Sequence, residues 1–561
     1  MTITIQRRQS DPSLPLLQRI FQSRGLNIDG FLPEYKLQGL ADIQKLKDID
    51  RACDLLVDAI QKNQRILIVG DFDVDGATST ALAMDALIQL GARHVNYLVP
   101  NRFEFGYGLS PEIVDYAQAH FQPELIVTVD NGISSFEGVD KANALGIKVL
   151  VTDHHLAADT LPSAHAIVNP NQPGCEFPSK AACGCAVIFY VMCALKSRLN
   201  KSAVNMATYL DLVALATVAD VVPLDENNRI LVEQGLRRIR KGHGRPGIQA
   251  LLKVSQKTPE RLTSKDFGFA LGPRLNAAGR LDDMSIGIEC LLANDFARAI
   301  YIAETLDELN QDRKSVEAGM QQEALAQLEL ISLDPSNLPS AITLFNPQWH
   351  QGVVGLLASR IKERFYRPVI ALAPNEEGTE LKGSGRSIPG FHMRDGLDLV
   401  AKRIPHVLNK FGGHAMAAGL SIKPDDLAEF EKVFSEIVSE QLSESDLQQI
   451  VQTDGALAPH EFTLDLAHQL RFVAPWGQNF PEPLFDGEFI LVNQRIVGER
   501  HLKLTLKEPT SGQMLDAIAF NVDVKKWPNH SLTHIKLVFE LDANFFRGDW
   551  SVQLMVRHIL D

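Results

Sequence analysis

The segment Gly70-Asp71-Phe72-Asp73-Val74-Asp75-Gly76 follows directly on the apolar run Ile66-Leu67-Ile68-Val69. An unbroken run of this kind reads as a strand buried on both faces, as in a parallel sheet. Carboxylates at alternate positions then stand at its carboxyl end, where open α/β sheets build their sites. Carboxylates this close repel one another, and hard divalent cations bound through oxygen relieve that repulsion. The plainer alternative is an Asp-rich turn that caps a helix starting near Ala77, since Asp and Gly are ordinary cap and turn residues.

The pattern recurs further along. The run Glu124–Val129 ends in Asp130-Asn131-Gly132, and Ile147–Thr152 ends in Asp153-His154-His155. The runs alternate with helical patterns, which argues a parallel sheet with helices packed on it. Parallel strands share one carboxyl edge, so Asp71, Asp73, Asp75, Asp130, Asp153, His154 and His155 are expected to converge. Asp220 interrupts the apolar segment Leu215–Pro223, and a charge so placed needs a partner. Taken singly, each Asp reads as a helix cap and His154 as a satisfied core histidine. Together, in this order, they read as a metal centre.

Asp153-His154-His155, preceded by Asp71-x-Asp73-x-Asp75-Gly76 and followed by Asp220, resembles the DHH phosphoesterase superfamily. Gly383-Ser384-Gly385-Arg386-Ser387 and Phe411–Gly419, which contains Gly412-Gly413-His414, resemble its companion DHHA1 domain. Gly272–Arg280 (GPRLNAAGR) and Pro475–Phe485 are similar to the RecJ family of single-strand-specific exonucleases. The likeness covers the chain from about Arg65 to the C-terminus.

The resemblance implies two Mn²⁺ or Mg²⁺ ions bridged by Asp130. Asp71 and Asp73 would complete the shell of one ion, and Asp75, His154 and Asp220 that of the other. Oxygen ligands with one imidazole suit these ions better than zinc. His155 would contact the scissile phosphate, and Asp153 would orient a histidine rather than bind metal. Arg102 and Tyr107 resemble a loop beside the active site, where Phe105 departs from the acidic or polar residue common in the family. Arg274, Asn276 and Arg280 are expected along the strand's path, and Ser384, Arg386, Gly412, Gly413 and His414 at its phosphates. The implied substrate is single-stranded DNA, entered from the 5′ end between two lobes and released as 5′-mononucleotides. A single-stranded-DNA-binding protein and a RecQ-type helicase are the implied partners of a monomer working in recombination and repair.

The 561 residues are too many for one core. Residues 1–50 are expected as a partly helical extension, 51–235 as the DHH domain, 236–340 as a helical connector, 341–450 as the DHHA1 domain and 451–561 as a barrel. The fold class is thus multidomain α/β: a parallel-sheet DHH domain, a long helix from Asp295 to about Leu330, a second α/β domain, and a C-terminal OB-like β-barrel. Five short alternating segments beginning at Glu488, His501, Asp516, His534 and Ser551 carry the barrel expectation. Residues 331–339 read as a loop. Removal of residues from about 455 onward is expected to leave the metal site intact.

The net charge of −14 gives no global attraction to nucleic acid, so a local basic surface is required. Lys382, Arg386, Arg394, Lys402, Arg403 and Lys410 could form one, extended by Arg274, Arg280 and Arg237–Lys241; each is equally a solvated face. The Gly-rich settings of Arg386 and His414 favour those two, because glycine lets backbone approach a phosphate. Cys175, Cys183, Cys185 and Cys193 lack the CxxC pairs of structural zinc sites. The uncharged stretch Ala181–Leu195 is too short to span a bilayer and reads as a buried helix. No signal-peptide pattern opens the sequence, so a cytoplasmic location is expected. Two other functions share part of this pattern: a DHH phosphoesterase acting on small substrates, and a non-catalytic single-strand-binding scaffold.

Overall fold

The computed structural model describes residues 3–26, 32–100, 108–330, 339–546 and 548–560. Five strands form one parallel sheet in the order His94–Leu98, Arg65–Val69, Leu125–Val129, Lys148–Thr152, Ala166–Val168. Alternate residues of the central strands serve different cores. Ile66, Ile68, Leu125, Val127 and Leu150 pack with helix Val74–Leu90 on one face. Leu67, Val69, Ile126, Val149 and Val151 pack with helices Pro111–His120 and Phe136–Ala144 on the other. The runs are unbroken because both faces are dry.

The stretch Ala181–Leu195 lies within and just before the helix Gly184–Arg198, which is buried over most of its length. Among the described residues no helix is long and apolar enough to cross a membrane.

The C-terminal strands close into a barrel in the order Phe485–Val497, His501–Lys507, Met514–Ala519, Asp549–Leu560, His534–Phe546. Its pairings are antiparallel except that of Met514–Ala519 with Asp549–Leu560. In His501–Lys507 the inward positions Leu502, Leu504 and Leu506 are fully buried, giving the strict alternation of a small barrel.

This barrel is not a separate body. Its core is continuous with that of the parallel-sheet region through Leu457, Phe462, Trp476 and Phe480. The Phe21 and Trp476 rings lie 5.9 Å apart, the Arg229 guanidinium sits 4.6 Å over Phe480, and the Leu224 N–H donates to the Gln478 carbonyl at 2.8 Å. Cutting the chain near residue 455 would uncover these groups. Gln9–Asn310 and Asp454–Asp561 accordingly make one compact unit.

Met1–Arg8 and Gln311–Thr453 make the other. Its sheet runs Leu408–Gly413, Ala417–Ile422, Leu381–Arg386, Val369–Pro374, Ile342–Phe345; only the last pair is parallel. A short strand, Thr4–Arg7, pairs in parallel with Ile450–Thr453. The helix Phe296–Leu330 carries the chain from one unit to the other over 35 residues. Most of the segment read as the loop 331–339 falls outside the described residues.

Candidate metal centre

Asp71, Asp73 and Asp75 follow the strand Arg65–Val69, Asp130 follows Leu125–Val129, and Asp153, His154 and His155 follow Lys148–Thr152. The shared carboxyl edge brings them together, and Asp220 joins them from the end of helix Leu210–Ala219. Among the described residues three groups have ligand atoms within 4.8 Å of one another: Asp71 with Asp73 and Asp130; Asp75 with His154 and Asp220; Asp130 with His154 and His155. Asp130 belongs to two of them. His154 Nε2 lies 3.1 Å from Asp130 Oδ1, 3.5 Å from Asp220 Oδ2 and 3.7 Å from Asp75 Oδ2.

Asp73 caps a helix and also stands among the candidate ligands. It is the N-cap of helix Val74–Leu90, with Oδ1 accepting the Gly76 N–H at 3.0 Å, yet it remains within ligand distance of Asp71 and Asp130. Asp75 is buried, and a helix start that sequence reasoning passed over holds it. Its Oδ2 accepts the Gly184 N–H at 2.6 Å and its Oδ1 the Cys185 N–H at 2.8 Å. These are free donors of a helix N-terminus, whose dipole favours the negative charge. Gly184 is needed there because a Cβ would stand 2.6 Å from the Asp130 Cβ and 2.8 Å from its Oδ1.

The electrostatics ask for cations. Burial, then the neighbouring Asp73, pushes the Asp75 carboxyl up to about 6. Burial, followed by surrounding carboxylates with Asp75 foremost, also raises Asp130 and Asp220 well above the usual range. Bound divalent ions replace those protons. A donor set of carboxylate oxygens with one imidazole fits Mn²⁺ or Mg²⁺.

Asp153 belongs to none of the ligand groups. Its Oδ1 accepts from the His154 N–H at 2.7 Å, the His155 N–H at 3.1 Å and His155 Nδ1 at 2.7 Å, while Oδ2 accepts the Ile133 N–H at 2.9 Å. Burial alone would raise its pKa, but the His155 hydrogen bond and charge outweigh it and the carboxyl is lowered. On His155 burial pulls downward, and Asp153 more than reverses it, to about 9. Asp153 thus favours the protonated ring of His155. Two asparagines absent from the sequence reading fix this turn: Asn171 Nδ2 donates to the His154 carbonyl at 2.6 Å, and Asn169 Nδ2 to that of His155 at 2.9 Å.

The expected DNA contacts fall differently. Arg102, Phe105 and Tyr107 lie outside the described residues. Arg274, Asn276 and Arg280 share the helix Gly272–Leu281, where Arg274 pairs with Asp307 at 2.8 Å and Asn276 Oδ1 accepts the Val74 N–H at 3.2 Å. In the other unit Ser384, Gly419 and Gly412 sit side by side across three strands, with Gly413 and His414 at the next turn. Arg386 there donates from Nη1 to Ser384 Oγ and to the Gly385 carbonyl, both at 2.8 Å, and pairs with no carboxylate among the described residues. The other basic candidates are mostly neutralised: Lys382 by Glu380, Lys402 by Asp398, Arg403 by Glu440, and Arg237 and Arg240 by Glu233. None of the ligand groups among the described residues includes a cysteine.

Family models place the chain. Residues 65–217 match the DHH family N-terminal domain, 338–440 the DHHA1 domain and 453–558 the RecJ OB domain. The single-stranded-DNA-specific exonuclease RecJ of Dickeya dadantii is 55% identical over 98% of this chain and 96% of its own length. The chain belongs to the RecJ family. The Escherichia coli RecJ, also named a single-stranded-DNA-specific exonuclease, is 52% identical over 99% of both chains. The crystal structure of RecJ in complex with Mn²⁺ from Thermus thermophilus matches with a TM-score of 0.81 at 28% identity, covering 99% of this chain and 79% of that one. A second RecJ structure from that organism, in complex with Mg²⁺, matches with a TM-score of 0.75. Both ions agree with the donor set found here.

Proposed function

We propose that this chain is a metal-dependent exonuclease that hydrolyses single-stranded DNA from the 5′ end to 5′-mononucleotides. The observation that carries the reading is the place of Asp130, buried and shared between ligand groups built on different strands. Asp130 would serve two ions at once, with Asp71 and Asp73 completing the shell of one and Asp75, His154 and Asp220 that of the other. Divalent ions there would supply charge stabilisation for the attacking and leaving oxygens of a phosphodiester.

The protein's own groups do the rest. The Gly184 helix start keeps Asp75 aimed at the centre. Asp153 fixes the His155 ring and keeps it protonated, so that His155 donates to a non-bridging oxygen of the scissile phosphate. Arg386, partly buried and paired with no carboxylate among the described residues, binds a phosphate of the strand together with Ser384 and the Gly412–His414 turn. Arg280 lines the strand's path. The 5′ polarity, a role in recombination and repair beside a single-stranded-DNA-binding protein and a RecQ-type helicase, monomeric action and a cytoplasmic setting are supported by family membership. The barrel favours long strands over the small substrates of other DHH enzymes, and the full set of ligands disfavours a non-catalytic scaffold.

The test is a time course on single-stranded DNA labelled at either end, with Mn²⁺, with Mg²⁺ and with chelator, beside a blunt duplex of the same sequence. Metal-dependent release of mononucleotide from the 5′ end with the duplex spared is expected. Hydrolysis of dinucleotides or pyrophosphate with the long strand untouched would move the function to the small-substrate branch.

A further inference from the structure

The helix Gly272–Leu281 contributes nothing to the three ligand groups, yet it lies directly on the loop that carries Asp71 and Asp73. Asn276 Oδ1 accepts the N–H of Val74 at 3.2 Å. Val74 opens the helix Val74–Leu90, and its N–H is one of the donors such a helix start leaves without a partner. The cap residue Asp73 serves Gly76 instead. One helical turn beyond Asn276, on the same face, stands Gly279. A Cβ at Gly279 would fall 1.9 Å from the Phe72 carbonyl oxygen, so only glycine admits the loop backbone at this distance. The two contacts clamp the backbone on either side of Asp73. The helix itself is anchored elsewhere: Arg274 pairs with Asp307 at 2.8 Å and donates to the Ala270 carbonyl at 2.7 Å.

We propose that Asn276 is a positioning residue for the metal centre. It holds the Phe72–Val74 backbone so that Asp73 and Asp75 present their carboxylates to the ions, and it acts through that backbone rather than by touching the DNA strand. The proposal rests on the two-ion reading given above. It accounts for the spacing of Asn276 and Gly279 in the GPRLNAAGR segment by packing on the carboxylate loop.

The experiment compares Mn²⁺ titrations, followed by the electron paramagnetic resonance of free Mn²⁺, with single-strand affinity measured by anisotropy in chelator. Asn276→Leu removes the acceptor at similar volume, and Asn276→Asp keeps one. Asn276→Leu should weaken Mn²⁺ binding at least about tenfold, the usual effect of losing a group that orients a ligand, with DNA affinity in chelator unchanged. Asn276→Asp should stay within about threefold of wild type, because the hydrogen bond survives. If Asn276→Leu does not fold, Asn276→Ala supplies the same comparison without added bulk. Unchanged Mn²⁺ affinity in the variant lacking the acceptor would overturn the proposal alone, as would a loss confined to DNA binding. A wild-type protein that takes up no Mn²⁺ would overturn the two-ion reading and the proposal with it.

Discussion

Replacing Gly184 by alanine adds one methyl group directly against Asp130 of the metal centre. That Cβ would stand 2.6 Å from the Asp130 Cβ and 2.9 Å from its Cα, whereas ordinary contact begins at 3.4 Å. The helix start and the Asp130 turn must therefore separate by roughly 0.8 Å, since packed interiors do not compress. Asp130 cannot yield easily: it holds a left-handed backbone with φ of 62°, and its N–H is bonded to the Thr152 carbonyl at 3.1 Å. If the helix retreats instead, the bonds from the Gly184 and Cys185 N–H groups to Asp75 lengthen with it. Either way one ligand moves by nearly 1 Å, and a displacement of that size at a reacting centre costs about 100-fold in rate. The stability cost is smaller. Overpacking costs about 1–3 kcal/mol, and the alanine returns up to about 1 kcal/mol by entering a helix in place of glycine. The assay is kcat/KM on single-stranded DNA at saturating Mn²⁺, with urea unfolding of the same preparation. A folded Gly184→Ala protein within about threefold of wild-type kcat/KM would refute the argument, because the methyl group would then have been absorbed without moving a ligand.

Other perturbations give separate readings of the same centre. Asp130→Ala removes the proposed bridge; turnover should fall below detection and the Mn²⁺ stoichiometry should drop, as checked by metal titration. Asp153→Asn leaves the ring of His155 in place but removes the charge that holds its pKa near 9. Wild-type activity that depends on the imidazolium is retained below that value and lost above it. In the variant the alkaline limb should move to lower pH, and an unmoved limb would show that the protonated ring is not used. Arg386→Ala should reduce the slope of log affinity against log salt by about 0.7, the value for one phosphate contact on a single strand. An unchanged slope from a salt titration would leave Arg386 a purely structural cation.

The carboxylates were legible because parallel geometry obliges successive strand ends to share an edge, so Asp71, Asp130 and Asp153 needed no distance information. Asp220 was legible for another reason, as a charge inside an apolar segment. What could not be read was support supplied by backbone. The Gly184 and Cys185 N–H groups that hold Asp75 come from a stretch whose side chains advertise only a buried helix. Asn276 likewise meets a main-chain N–H, which leaves no pattern of its own. The basic run Arg237–Lys241 resembled a phosphate surface until Glu233, one turn earlier on the same helix, was seen to pair with Arg237 and Arg240. Strand signals gave the five barrel segments, but alternation says nothing of what a barrel's outer face rests on. Trp476 and Phe480 were therefore legible as part of the RecJ-like segment Pro475–Phe485, and not as a core shared with Phe21 and Arg229.

The interleaving of the two units governs the order in which the protein can be completed during its own synthesis. Thr4–Arg7 is synthesised long before Ile450–Thr453, with which it pairs, so that strand waits for most of the intervening chain. The parallel sheet and its carboxylates are also made early, yet Trp476 and Phe480, which complete the core shared with Phe21 and Arg229 beside it, lie beyond Asp454. Chains usually fold domain by domain from the N-terminus as they emerge. Here the catalytic half emerges with an uncovered apolar flank, and the segment Gln311–Thr453 is translated before that flank is closed. A nascent chain stalled before the barrel is thus the form most in need of a chaperone, and activity should appear only after the last strands are released.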